Sequence, residues 1–156
     1  MMDLGAIGKG FALDRMAEEL LEWGCGCFLL NAGGSSILAG EAPPGAPGWD
    51  CGLADDTDSQ RYWLAHGSLS GSGLAVKGPH IIDPRTGQSA RERPRAWFFA
   101  STAAVSDALS TACMVLTEAE IAEIMRNQPD YLAIFLRDGE WCTYGQRQPR
   151  RVATDD

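Results

Sequence analysis

Apolar residues recur with a helical period from Phe11 through Met16, Leu20 and Leu21, while Asp14, Arg15, Glu18, Glu19 and Glu22 fill the positions between them. That spacing predicts an amphipathic helix over residues 11–23, ended by Gly24, which tolerates the left-handed backbone of a helix terminus. The period then changes. Residues 25–30 form a short apolar run, read as a strand, and Asn31-Ala32-Gly33-Gly34-Ser35 reads as a sharp turn out of it. Three prolines and three glycines in residues 40–48 break both a helix and a ladder, so this stretch is expected as a surface loop. Short strands are predicted at 49–53 and 61–64 on either side of an acidic turn, Asp55 to Asp58, and a further strand at 96–100. The chain then turns helical again over 106–116. Thr117-Glu118-Ala119-Glu120 is a capping box opening another helix with Ile121, Ile124 and Met125 on one face. Residues 131–136 and 140–144 pair as a hairpin across Arg137-Asp138-Gly139.

Composition narrows what such a chain can do. At 156 residues with 45% apolar and 22% charged positions it is expected to form one domain with a real core. A net charge of -8 excludes general nucleic-acid binding, which needs excess Lys and Arg. An anionic ligand would need local help from backbone N–H groups, a few placed cations or a divalent metal. The five cysteines, at 25, 27, 51, 113 and 142, form no C-x-x-C pair, so neither a disulfide framework nor a structural zinc is expected. The N-terminus lacks a basic region followed by an apolar core, and no apolar run reaches about 18 residues, so as written the chain is expected to be soluble and cytoplasmic.

Three stretches carry candidate chemistry. The first is Asp3-Leu4-Gly5-Ala6-Ile7-Gly8-Lys9-Gly10-Phe11-Ala12-Leu13-Asp14, a glycine-rich loop running into the first helix. Its spacing matches neither a phosphate P-loop nor a dinucleotide fingerprint, and phosphate contact or a plain helix start both fit it. The second is His80-Ile81-Ile82-Asp83-Pro84-Arg85-Thr86-Gly87, where an imidazole, a carboxylate and a guanidinium leave an expected strand end together. Proline and glycine hold that turn; an apolar strand end followed by a plain turn fits as well. In the third, residues 106–112, Asp107 and Thr111 are four apart and share a helix face with Ser110 beside them. Such oxygens suit Mg²⁺ or Ca²⁺ if a ligand's phosphates complete the shell, while helix capping by Ser106 and Asp107 explains the same residues locally. Ser70-Gly71-Ser72-Gly73 reads either as a close backbone approach or as a flexible connector.

In this order, with N-A-G-G at 31–34 and S-G at 72–73 between them, the three stretches resemble the ApbE family, the FAD:protein FMN transferases. The resemblance runs over residues 3–145, leaves 146–156 as a flexible tail, and covers only the C-terminal half or so of a usual member. It implies an α+β, T-fold-like domain, mainly an antiparallel sheet packed with helices. It also implies Mg²⁺-dependent cleavage of FAD, release of AMP and attachment of FMN to a Thr or Ser hydroxyl of an acceptor flavoprotein, such as one in a redox-driven membrane complex. By resemblance, Asp107 and Thr111 are magnesium ligands, with Ser110 and the backbone oxygen of Ala6 completing the protein's share. Asp3 and Lys9 match positions that contact FAD, Ile82 lies against it, and His80 is the general base.

Two departures shape the expectation. The N-terminal half, which in the family supplies further FAD contacts and the signal of exported members, lies outside the resemblance, so the partner implied is that half or a second copy. Ser110 stands where various members carry a carboxylate or a small residue. A flavin-binding or structural ApbE-like domain without turnover is the alternative reading.

Overall fold

A computed structural model of the chain describes residues 4–53, 60–74, 78–147 and 149–152; Asp3 and the acidic turn at 55–58 lie outside the described residues. The elements in order are α1 (Gly8–Glu22), β1 (Leu29–Ala32), β2 (Ser36–Ala39), β3 (Trp49–Gly52), β4 (Arg61–Leu64), β5 (Gly67–Gly73), β6 (Arg95–Ala100), α2 (Ala103–Ala112), α3 (Glu118–Met125), β7 (Leu132–Arg137) and β8 (Glu140–Gly145). Six strands form one antiparallel sheet in the order β1-β2-β5-β6-β7-β8, and β3-β4 is a separate hairpin. The fold is α+β, with the large sheet as its middle layer.

β6 shows why the sheet sits in the middle. Its run Ala96-Trp97-Phe98-Phe99-Ala100 is buried throughout, because alternate side chains serve two cores. Ala96, Phe98 and Ala100 join Ala133 and Phe135 of β7 under the helical layer, where Cys113, Met114, Ile121 and Met125 cover them. Trp97 and Phe99 join Leu132 and Ile134 on the other face, under Cys51, Leu53, Tyr62 and Leu64 of the small hairpin region. A third cluster of Leu13, Ala17, Leu38 and Ala103 fixes α1 to α2 and β2.

Several expectations need correction. α1 starts at Gly8, three residues early, and α2 spans Ala103–Ala112 where 106–116 was expected. The strand expected at 25–30 lies at Leu29–Ala32, because Cys25 N–H still bonds back to Leu20 and closes the helix terminus. β2 and β5 have no counterpart in the apolar pattern: β2 is four residues wedged before a proline-rich loop, and β5 reads Gly-Ser-Leu-Ser-Gly-Ser-Gly, with a single large apolar side chain. The expected strand ahead of Asp83 is only one bridge, Ile82 to Ser89, within a tight loop closed by Asp83 N to Gln88 O and Ala90 N to Ile81 O, both 2.8 Å. Within the stretch expected as a tail, Arg151 bridges to Tyr62 and Trp63 N–H bonds to Arg150 O, so part of it lies along β4. The capping box at Thr117 and the β7-β8 hairpin match their predictions, the latter turning on Asp138 and Gly139 at φ 52° and 82°. No described helix is long and apolar enough to cross a membrane.

Candidate functional site

Serines replace large apolar side chains on the face of β5 that meets α2, which lets the helix lie close. Ser106 sits between Ser68 at 2.6 Å and Ser70 at 2.8 Å, and Ser72 Oγ is 2.9 Å from both Ser110 Oγ and Thr111 Oγ1. Ser68, Ser70, Ser106 and Ser110 are fully buried, yet each hydroxyl has a partner, so the layer avoids the cost of an orphaned polar group.

α1 and α2 then exchange carboxylates. Asp14 of α1 accepts from Ala103 N–H at 2.7 Å and Ala104 N–H at 2.8 Å, capping a helix whose own N-cap, Thr102, gives no side-chain bond. In return Asp107 of α2, almost wholly buried, accepts from Gly10 N–H at 3.0 Å, Ser36 Oγ at 3.0 Å and Lys9 Nζ at 3.2 Å. Gly10 is the third residue of α1, so its N–H belongs to the first turn, which has no intrahelical acceptor, and Asp107 supplies one. Gly10 permits this contact: a Cβ there would lie 2.1 Å from the carbonyl oxygen of Ala103. Ala6 lies just before the N-cap Ile7, at the end of α1 where free N–H groups concentrate positive potential.

Next to this junction opens a cleft of about 550 Å³, lined by Ala6 and Ile7, by residues 81–85, and by Ala108, Thr111, Ala112, Val115 and Leu116, with Glu120 at its rim. The three stretches singled out in the sequence therefore meet at one place. Ala6, Ile82 and Thr111 line the cleft. Asp107 and Lys9 lie behind it at the helix junction, and Ser110 is buried against Ser72 and its own helix's Asp107 carbonyl at 2.9 Å. His80 is exposed just ahead of the lining residues, its Nδ1 2.8 Å from Gly78 O.

The cleft's outer wall is held by Arg85. Its guanidinium bonds to Asp83, to Glu120 and to the carbonyl of Val115. The carboxyl of Asp83 is held below its ordinary range, first by the Arg85 side chain and then by the Arg85 N–H; that of Glu120 is lowered first by Thr117 N–H and hydroxyl, then by Arg85. Arg93, buried, bonds the carbonyls of Cys113 and Leu116 and lies 4.4 Å from the Phe135 ring centroid, tying the other end of the loop to the end of α2.

On the α1–α2 side the Ala6 carbonyl, Asp107, Ser110 and Thr111 offer only oxygens, with one carboxylate, and no group of three His, Cys, Asp or Glu placed to hold a metal occurs among the described residues. This set fits a hard divalent cation whose remaining ligands come from water or phosphate, and does not fit zinc. Ala6 and Thr111 lining one cleft beside the buried Asp107 support that fit, while Lys9 is the cation neutralising Asp107 here. Sequence reading missed Asp14, Ser36 and Arg93, whose roles depend on partners more than 19 residues away.

A sequence model of the ApbE family matches residues 1–136. The chain is 26% identical over 153 residues to an FAD:protein FMN transferase of Klebsiella pneumoniae, covering 89% of this chain and 43% of that protein. Over 133 residues it is 32% identical to one of Rhodobacter capsulatus, covering 75% of this chain and 24% of that protein. Among solved structures, the ApbE protein of Thermotoga maritima superposes with a TM-score of 0.77 at 26% identity, over 92% of this chain and 51% of that one. A flavin transferase of Vibrio cholerae gives 0.74 at 24% identity, over 92% and 50%. The chain thus spans from about a quarter to about half of the length of these relatives.

Proposed function

The chain belongs to the ApbE family, and on that premise we propose that it supplies the pyrophosphate-gripping wall of a magnesium-dependent FAD:protein FMN transferase. The observation that carries this reading is the cleft itself: Ala6, Ile82 and Thr111, from three separate motifs, line one cavity beside a buried carboxylate.

In this reading Asp107, the Thr111 hydroxyl and the Ala6 carbonyl hold Mg²⁺, with Ser110 supporting them from behind. The ion would offset charge on the pyrophosphate and on departing AMP. Lys9 and the start of α1 present positive potential to the phosphates, and Ile82 gives the dinucleotide an apolar contact; Asp3 is proposed as an FAD contact on the family resemblance alone. His80 acts on the acceptor. Because a carbonyl only accepts, the bond to Gly78 O puts the proton of the neutral ring on Nδ1 and leaves the Nε2 lone pair open. Nε2 takes the proton of an acceptor Thr or Ser hydroxyl as its oxygen bonds to the phosphorus of the FMN half. The bond from that phosphorus to the bridging oxygen breaks, and the oxygen leaves with AMP.

The test is covalent flavin fluorescence on a Thr-containing acceptor protein, with FAD and Mg²⁺, together with AMP release. His80→Ala is expected to abolish transfer while leaving FAD affinity within about twofold; undiminished transfer would remove His80 from the role of base. The Lys9–Asp107 ion pair supports a second reading, a flavin-binding or structural domain without turnover, since the junction is charge-balanced without metal. FAD binding without transfer in the presence of a complete acceptor would favour it.

A further inference from the structure

We infer that Lys9 is an internal counter-ion, which keeps the cation's place at Asp107 and has to leave it before Mg²⁺ can bind. The inference rests on the reading of Asp107 as the metal's carboxylate, and it deepens that reading: metal entry becomes the exchange of one cation for another.

The carboxylate of Asp107 is fully subscribed. Ionised, it offers about four lone-pair directions. Its Oδ1 accepts from Ser36 Oγ at 3.0 Å and from Lys9 Nζ at 3.2 Å; its Oδ2 accepts from Gly10 N–H at 3.0 Å and lies 3.5 Å from the same Lys9 Nζ. The side chain is only 3% exposed, so it has no open side on which an ion could be added. Mg²⁺ demands a lone pair aimed at it in near-octahedral geometry, and one of the three donors must therefore give way.

Their surroundings single out Lys9. Gly10 N–H is part of the backbone, at a point where even a Cβ would stand 2.1 Å from Ala103 O. Ser36 is fully buried and is paired in β2 with Ala32 on one side and Ser70 on the other. Lys9 has a side chain 37% exposed, on a flexible four-carbon stem that can swing out without disturbing either helix. Charge selects the same residue. An ammonium and a divalent ion on one carboxylate repel, whereas the other two donors carry no net charge.

The exchange also reconciles the two partners given to Lys9. Without metal, its ammonium spares Asp107 the cost of an uncompensated buried charge. With metal in place, the displaced ammonium is free for phosphate. Mg²⁺ alone thus enters against a resident competitor, and an arriving diphosphate favours its entry by taking up the ammonium.

The test is calorimetric titration of Mg²⁺ into the FAD-free chain, with no activity read. Removing the competitor in Lys9→Met is expected to tighten Mg²⁺ binding about tenfold, within the usual span of coupling between two ligands of one site. Lys9→Gln, which keeps an N–H donor without the charge, should tighten it likewise, and Lys9→Arg should stay as weak as the wild type. In urea with EDTA the Lys9→Met midpoint is expected to fall and then to recover with Mg²⁺, while the wild-type midpoint does not respond to the same Mg²⁺ concentration. Equal Mg²⁺ affinity in wild type, Lys9→Met and Lys9→Gln, lost in Asp107→Asn, would overturn the counter-ion and leave the metal centre standing. Binding that is absent throughout, or that survives Asp107→Asn, would remove both.

Discussion

The two halves of the candidate site are built by opposite means. At the α1–α2 junction, position is set by burial: Asp107 is nearly inaccessible, has three donors, and sits where Gly10 lets two backbones touch. Across the cleft, residues 78–94 have little regular structure and a largely exposed surface; they are held by one bridge, one tight turn and the side chains of Arg85 and Arg93. The difference teaches where rigidity is needed. The buried carboxylate is locked by packing, whereas the segment carrying His80 is clasped at its surface and leaves its imidazole exposed.

The largest effect should come from wedging the packed side. Gly10→Ala places a methyl 2.1 Å from Ala103 O and 2.5 Å from its carbonyl carbon, which no rotamer can relieve. Overpacking of that kind costs about 3 kcal/mol, more than the ~1 kcal/mol that Ala gains over Gly in a helix. Urea denaturation is expected to show that net loss; an unchanged midpoint would mean the helices are not in contact there. Asp14→Ala comes next. It uncaps α2 at two N–H groups, a loss of about 1–2 kcal/mol by the same measurement.

Breaking the clasp should read differently. Arg85→Ala is expected to leave the urea midpoint unmoved while amide exchange at Asp83, Gly87 and Ala90 accelerates, because those N–H bonds close the loop that Arg85 anchors. Equal acceleration in β6 would erase the distinction between the two regions. The smallest effect is on pH. Asp83 and Glu120 have folded pKa values below their ordinary ones, so their contribution is fully present above the unfolded values, about 4, and is lost as pH falls through the lower folded values. Normalised exchange of the loop should therefore stay flat from pH 5 to 8 and rise only below about pH 4, and the rise should vanish in Arg85→Ala.

The same contrast explains what the sequence disclosed. α1, α3 and the β7-β8 hairpin were legible because period, capping box and turn residues act locally, and the motif order was enough to place the chain in its α+β family. β5 was not legible: its serines and glycines follow from the need to seat α2 closely, a tertiary demand that leaves no apolar alternation. The loop at 80–87 read as a strand end because Ile81 and Ile82 are β-formers, yet Ile81 alone is buried and Ile82 is 50% exposed in the cleft. Asp107 was legible as a candidate, but its donors Ser36 and Gly10 lie 71 and 97 positions away and no local signal links them.

The central claim is that this chain itself grips a pyrophosphate through a metal at Asp107. Calorimetric titration of FAD into the 156-residue chain, with Mg²⁺ and again with EDTA, tests it most directly when repeated on Asp107→Asn. Binding that requires Mg²⁺ and is lost in the variant is the predicted result; FAD affinity that is the same with EDTA, or unchanged by the substitution, would contradict it.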